Sequence, residues 1–300
     1  MIVIDHLSQE LNDPYVIIIF SLFGYVVVSV FFGISGYGLN FRMKSNSCYI
    51  DNFIKTRLPK ILIPFWLSNA VYIVVRFCFY QDQMTIASVV KYLLGIQLIN
   101  TNAWYVISLS ILYLLFWLSE KIFENNQCKA IAFTGVLSLA YFIIFLLIFR
   151  GQRYWWVNGI FAFVIGMCVS QFDSIWNRVM KSWAMVSVII LVFIVAFLGG
   201  CILPLIPMGL SLMVVASITI VCIFFCVAHK IRIQSYVLDF LGKISYELYL
   251  IHNCYRHFFK DIVPMHNDAL YLLVVISASI LSAYLLHKLV LQFFKIFRLI

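Results

Sequence analysis

An all-α, polytopic integral membrane bundle is the fold class this sequence predicts, and three observations predict it. Hydrophobic residues fill 64% of the 300 positions and charged residues 11%, with a mean hydropathy of +1.02; a soluble core of this length could not bury so much apolar side chain. Apolar runs reach spanning length, about 17 residues or more, at 16 to 39, 61 to 79, 130 to 149, 183 to 203, 207 to 228 and 270 to 294. The cationic residues also segregate between alternate loops, the mark of a fixed orientation in a bilayer.

Shorter or more polar candidates at 103 to 119, 154 to 170 and 244 to 258 bring the expectation to about nine complete spans. With segment 41 to 60 in the cytoplasm, 15 of the 21 Lys and Arg residues fall on that side. Only Arg76, Lys91, Arg150, Arg153, Arg256 and Lys260 fall on the other. That bias predicts a cytoplasmic C-terminus, and it explains the net charge of +9 without any nucleic-acid partner. No long hydrophilic stretch, internal repeat or low-complexity segment interrupts the pattern, so residues 1–300 read as one membrane domain. The eight cysteines are scattered, with no CxxC and no zinc-like spacing; they read as packing residues, and no metal is expected.

The opening MIVIDHLSQELNDP turns polar after a few apolar residues. It is neither a signal peptide nor a full span, and it reads as the last turns of a truncated first helix. An in-frame continuation upstream would give ten spans with both ends cytoplasmic.

Four segments carry candidate chemistry. In FFGISGYGLNFR, residues 31–42, Gly33 and Gly36 continue a stripe begun by Ser29 at i, i+4 and i+7, which lets helices approach closely in lipid. Alternatively, Gly36 and Gly38 at the cytoplasmic end leave room for a ligand beside the backbone. DNFIKTRLPKILIPFW comes next, with Lys55, Arg57 and Lys60 just before a span containing Pro64. The cluster is either a positive-inside anchor or, with Arg42, a basic cytoplasmic mouth able to hold phosphates. His6 lies near the end of the truncated helix, as a solvated interfacial residue or as a general base for a hydroxyl attacking a thioester. Its neighbour Asp5 points about 100° away on a helix, so no dyad is implied. In LGKISYELYLIHNCYRHFF, residues Ser245, Leu248 and His252 share one face and Glu247 lies inside the span, where an ionisable group marks either function or an interhelical hydrogen-bond network.

These segments, in this order, resemble the motifs of acyltransferase family 3, the multi-span acyltransferases of bacterial surface glycans. FFGISGYG resembles the phenylalanine-rich second-helix motif and TRLPKILIPFW the basic segment entering a proline-containing span. NAWYVISLSILYL is similar to the tryptophan-tyrosine helix, and GKISYELYLIH to the late Ser-Tyr…Leu-Tyr-Leu-Ile-His motif. The resemblance implies that His6 is catalytic, standing where the family has a histidine closing its first helix. The family's arginine upstream of that histidine would precede residue 1. Arg57 and Lys60 stand for its paired arginines, although lysine cannot form the bidentate fork.

The same resemblance implies an O-acetyltransferase of the bacterial cytoplasmic (inner) membrane. It would move acetyl from acetyl-CoA to a hydroxyl of a surface polysaccharide or lipid-linked sugar, with membrane lipid around it. Arg42, Lys55, Arg57 and Lys60 would face the donor. Ser35, Gly36, Trp104, Tyr105, Glu247 and His252 would support the site, the aromatic rings either stacking on sugar or forming an interfacial belt. The rival expectations are a transporter or flippase-like protein, which inverted repeats would favour, and a structural subunit of a synthesis complex.

Overall fold

The computed structural model describes residues 2–11, 23–82, 84–124, 126–203, 205–231 and 234–297. The expected start of the second helix at 16 to 22, and the flanking Arg232 and Arg298, lie outside the described residues. Among those described, the chain forms thirteen α-helices and no strand. Eight helical segments are long and apolar enough to cross a membrane. Helix packing groups the chain into two units, one of Met1–Gly24, Lys55–Ile107 and Gln234–Ile300, the other of Tyr25–Ile54 and Ser108–Ile233.

The first unit holds α1 (Ile2–Ser8), nearly all of α3 (Phe53–Phe79), α4 (Ile86–Leu93), the start of α5 (Trp104–Ile122), α11 (Tyr236–Lys243), α12 (Ser245–His257) and α13 (Asp268–Ile296). Helix α3 begins at Phe53, not near 61, so the basic segment forms its first turns rather than a loop before it. Hydropathy places a boundary at the charges, whereas the backbone continues through Pro59 and Pro64. Prolines inside membrane helices are tolerated where neighbours satisfy the freed backbone groups. Beside Pro64, the Ile61 carbonyl accepts the Tyr246 hydroxyl from α12 at 2.9 Å.

Three apolar clusters knit this unit together. Leu7 of α1 packs with Tyr271 and Val275 of α13. Tyr72 joins Ile244, Ile251, Cys254 and Ala283, and Ile63 joins Val290 and Phe294. The last carbonyls of α4, which a helix terminus leaves unsatisfied, are taken by α3: Trp66 Nε1 donates to Leu93 at 2.9 Å and Asn69 Nδ2 to Tyr92 at 3.0 Å. Helix α12, expected as a span at 244 to 258, is only 13 residues long and rich in polar groups, so it is not among the eight long apolar segments; it continues as a π-helical turn over Phe258–Ile262.

The second unit contains α2 (Gly24–Ser45) from Tyr25 onward, the remainder of α5, α6 (Gln127–Ile148), α7 (Phe161–Gln171), α8 (Asp173–Lys181), α9 (Trp183–Ile202) and α10 (Leu210–Lys230). Here the glycine stripe finds its use. A Cβ on Gly36 would stand 1.9 Å from the Phe163 carbonyl oxygen, and one on Gly166 would stand 1.9 Å from that of Gly33. Helices α2 and α7 therefore meet backbone to backbone, as small residues permit in lipid. The space beside Gly36 is filled by protein, while Gly38 faces nothing within 4 Å. Lys44 near the end of α2 donates to the Ser170 carbonyl at 2.9 Å, closing the C-terminus of α7.

Candidate active site

The site gathers on α1, the segment before α5, and α12, all within the first unit. His252, fully buried, sits mid-way along α12, with its Nδ1 3.1 Å from the Leu248 carbonyl one turn earlier. A carbonyl only accepts, so His252 Nδ1 carries the hydrogen and its Nε2 is the acceptor of the neutral ring. That Nε2 lies 2.8 Å from His6 Nδ1, and the two ring planes are 6° apart, which suits an in-plane hydrogen bond. The proton between them then resides on His6 Nδ1. His6 Nε2 is left with a free lone pair, the state a general base needs.

The Asn102 amide stands 2.9 Å from His6 Nδ1. The atom placed there is Asn102 Nδ2; with a hydrogen on His6 Nδ1 the amide is assigned the opposite way round, its oxygen toward the ring, because amide orientation follows the hydrogen-bond network. Asn102 is itself fixed: the Tyr249 hydroxyl donates to its carbonyl, and its backbone N–H donates to Asn100 Oδ1 at 3.1 Å. Asn100 Nδ2 in turn donates to the Leu250 carbonyl at 2.8 Å, and Asn253 Nδ2 donates to Asn100 Oδ1 at 3.1 Å. Buried amides bonded in this way hold α12 and the Asn100–Asn102 turn in one register.

From the other side, Arg256 Nη1 donates to the His6 carbonyl at 3.2 Å, a cation at the C-terminal end of α1 where the helix dipole favours it. Arg256 Nε lies 3.6 Å from Glu10 Oε1, and Lys260 closes on the other oxygen of the same carboxylate. Asp5 Oδ2 comes within 3.7 Å of His6 Nε2, so the two neighbours do approach, at ion-pair rather than hydrogen-bond distance. Asp5 is buried, and its Oδ1 has no hydrogen-bond partner among the described residues. A carboxylate so placed stabilises an imidazolium when Nε2 takes a proton. The His6 side chain keeps 16% of its surface exposed.

The other sequence candidates fall in different places. Tyr105 is buried and meets the Tyr249 ring edge-on, centroids 5.7 Å apart, so it braces the residue that holds Asn102. Trp104 is half-buried beside it, its ring edge-on to Tyr105 at 6.5 Å. Glu247 accepts from or pairs with His287 Nδ1 at 2.9 Å across α12 and α13, which is the interhelical network reading of that residue. Lys55 and Lys60 are exposed and Arg57 half-buried on the first turns of α3. They do not gather with the histidines. Tyr72, whose hydroxyl bonds the Leu250 carbonyl at 3.3 Å, lies twelve helical residues beyond Lys60, about 18 Å at 1.5 Å per residue. Arg42, Ser35 and Gly36 belong to the second unit.

Sequence reading did not single out Asn100, Asn102, Glu10 or Arg256. Asparagines just before a span and a lone acid near the polar end of α1 look like loop residues; only their partners reveal otherwise.

Comparison with curated proteins and with solved structures gave no match. A family model described as an acyltransferase domain, that of acyltransferase family 3, matches residues 1–288. That span takes in α1 with His6, the Asn100–Asn102 turn, the basic start of α3 and all of α12, and it replaces the transporter and structural-subunit expectations with an enzymatic one. The chain thus belongs to acyltransferase family 3 and is a membrane acyltransferase.

Proposed function

We propose that this acyltransferase takes acetyl from acetyl-CoA and esterifies a hydroxyl of a surface polysaccharide or lipid-linked sugar, in the bacterial cytoplasmic membrane with its C-terminus in the cytoplasm. The observation that carries the chemistry is the 2.8 Å pair of His6 and His252, which leaves His6 Nε2 as an oriented base. In the step it serves, the sugar hydroxyl attacks the thioester carbonyl while His6 Nε2 takes its proton. The C–O bond forms, the tetrahedral intermediate expels the CoA thiolate, and His6 returns the proton to that sulfur. His252 and Asn102 hold the ring, and Asp5 balances the transient imidazolium.

Lys55, Arg57 and Lys60 are the donor-facing residues of this unit. Their rise along α3 to Tyr72, which bonds α12 at the Leu250 carbonyl, is about 18 Å for Lys60 and about 25 Å for Lys55, which suits an elongated donor with phosphates at one end and a thioester at the other. Trp104 and Tyr105 open α5 just after the Asn102 anchor, and Arg42, Ser35 and Gly36 are not required by this scheme. The decisive experiment uses full chain in lipid nanodiscs with acetyl-labelled CoA and an oligosaccharide from the native glycan. Transfer of label to the sugar, lost in His6→Ala at equal protein, supports the reading; transfer undiminished in His6→Ala removes His6 as the base.

A further inference from the structure

The second unit holds a cavity that takes no part in the proposed acyl transfer. Its volume is about 390 Å³, within the range of about 300 to 1,000 Å³ common for small-ligand pockets. It lies between the C-terminal halves of α2, α7 and α10 and the short helix α8. Helix α8 gives it one continuous face, because Asp173, Trp176, Asn177 and Met180 follow at i, i+3, i+4 and i+7. Helix α10 gives it another, with Phe224 and Phe225 followed one turn on by Ala228 and His229. Trp176 and Met180 also pack with Val186 and Cys226, which ties α8 to α9 and α10.

Polarity changes from one end of this cavity to the other. Away from the helix termini it is apolar: Tyr37 of α2 sets its ring against Phe225, centroids 5.1 Å apart, and Ile34 stands one turn before Tyr37. Toward the termini it is basic. The last turns of the three helices carry Arg42 and Lys44 in α2, Arg178 and Lys181 in α8, and His229 and Lys230 in α10. Asp173 is the one acidic residue in their sequences, and its Oδ2 is 3.9 Å from Lys44 Nζ. Arg42, Arg178, Lys181 and Lys230 have no acid on these helices to answer them, and Lys230 Nζ lies 3.5 Å from the Trp183 ring centroid instead. Outside the cavity, α8 carries Ser174, Arg178 and Lys181 on one flank and Ile175 and Val179 on the other. Phe172, Ile175 and Trp183 around it are 42%, 58% and 72% exposed. A short helix of this pattern between two spans lies in the bilayer interface rather than across it, here on the side that the cationic bias assigns to the cytoplasm.

An apolar recess that ends in surplus cations at the level of the lipid headgroups fits an amphiphile with a negative head. We infer that the cavity is a binding site for one anionic phospholipid of the surrounding leaflet, with an acyl chain against Ile34, Phe224 and Phe225 and the phosphate among the cations of α8 and α10. A soluble anion lacks the chain that the apolar walls would take out of water. A zwitterionic lipid carries no net charge for the surplus cations to attract.

The test is native mass spectrometry of the full chain in detergent micelles. The protein is titrated with palmitoyl-oleoyl phosphatidylglycerol, with phosphatidylcholine of the same chains, and with glycerophosphoglycerol, the first head without its chains. Wild type should retain one phosphatidylglycerol with about tenfold or greater preference over phosphatidylcholine, and the chainless head should not bind. Ala228→Phe fills the cavity from an exposed helical position and should abolish retention at an unchanged thermal midpoint. Arg178 and Lys230 are exposed, so Arg178→Gln and Lys230→Gln spare the core; each should weaken retention about fivefold, the usual effect of one basic residue facing anionic lipid. Lys121→Gln, which removes a cation held by Asp51 at 2.7 Å, should leave retention unchanged. The inference is overturned if the two lipids are retained equally, or if folded Ala228→Phe keeps phosphatidylglycerol as wild type does. It is overturned as well if Lys121→Gln weakens retention as much as Arg178→Gln, the mark of general charge attraction, or if acetyl-CoA displaces the lipid, which would make the cavity a donor site. Should Ala228→Phe lower the midpoint, the lipid preference and the two charge variants decide alone.

Discussion

His6 Nδ1 and His252 Nε2 face each other at 2.8 Å across 246 residues of chain. The His252 Nδ1 contact to Leu248 decides the direction of that bond, and therefore which nitrogen of His6 is basic. In the proposed scheme His252 is a positioning residue, because it touches the proposed base His6 rather than the substrate. His6→Ala should lower acetyl transfer about 10² to 10⁴-fold, the usual contribution of a general base. His252→Phe keeps an aromatic ring but removes the acceptor; a mis-set base costs about 10²-fold, in kcat rather than in KM. His252→Gln, which retains an acceptor, should recover part of the loss. A His252→Phe protein with wild-type kcat would show that the pair only packs.

Arg57 and Lys60 provide the second prediction. Replacing both by Gln should raise the apparent KM for acetyl-CoA about tenfold or more, since one charge-assisted contact is worth about 1.5 to 3 kcal/mol. The KM for the sugar should not move. Donor dependence identical to wild type, at equal membrane abundance, would return both residues to the role of a positive-inside anchor.

Orientation is tested by reporter fusions. Fusions after Lys60 and after Ile300 should report cytoplasm, and one within 81 to 102 the opposite side, in keeping with the cationic bias. A cytoplasmic signal from the 81 to 102 segment would invert the assignment of donor and acceptor faces.

Two glycines two residues apart should behave in opposite ways. Gly36→Ala drives a Cβ into the Phe163 carbonyl, and backbone cannot yield as a side chain does; overpacking of this kind costs about 1 to 3 kcal/mol. Gly38→Ala meets nothing within 4 Å, and alanine in a helix interior is favoured over glycine by about 0.5 to 1 kcal/mol. Thermal unfolding in detergent should therefore move down for the first and hold or rise for the second. Equal midpoints would mean that α2 and α7 do not meet at these glycines.

Glu247 and His287 form the last case. A double-mutant cycle with Glu247→Gln and His287→Phe should give a coupling of about 0.6 to 1.7 kcal/mol, the range for interhelical hydrogen bonds in membranes. Neither variant should change kcat for folded protein. A drop in kcat near that of His6→Ala would instead assign Glu247 to the chemistry.

Much of this was legible in one dimension. Hydropathy located the spans because transfer into lipid is nearly additive along a helix, and it placed α6, α9, α10 and α13 close to their observed limits. It misplaced the start of α3 for the same reason: a hydropathy window sees Lys55, Arg57 and Lys60 as an ending, while backbone hydrogen bonds ignore side-chain charge. The His6 and His252 motifs were readable as separate candidates, one at each end of the chain.

By itself, then, the sequence determined a polytopic helical membrane protein, the family it resembles and the two histidines worth watching, because composition and short motifs are local properties. Tertiary structure decided that those histidines share a proton, that Asn102 and Arg256 hold them, that Asp5 approaches its neighbour, and that Gly36 serves packing. Each of these depends on which helix faces meet, and a face is chosen by the packing of side chains far apart in the chain, which no single segment encodes.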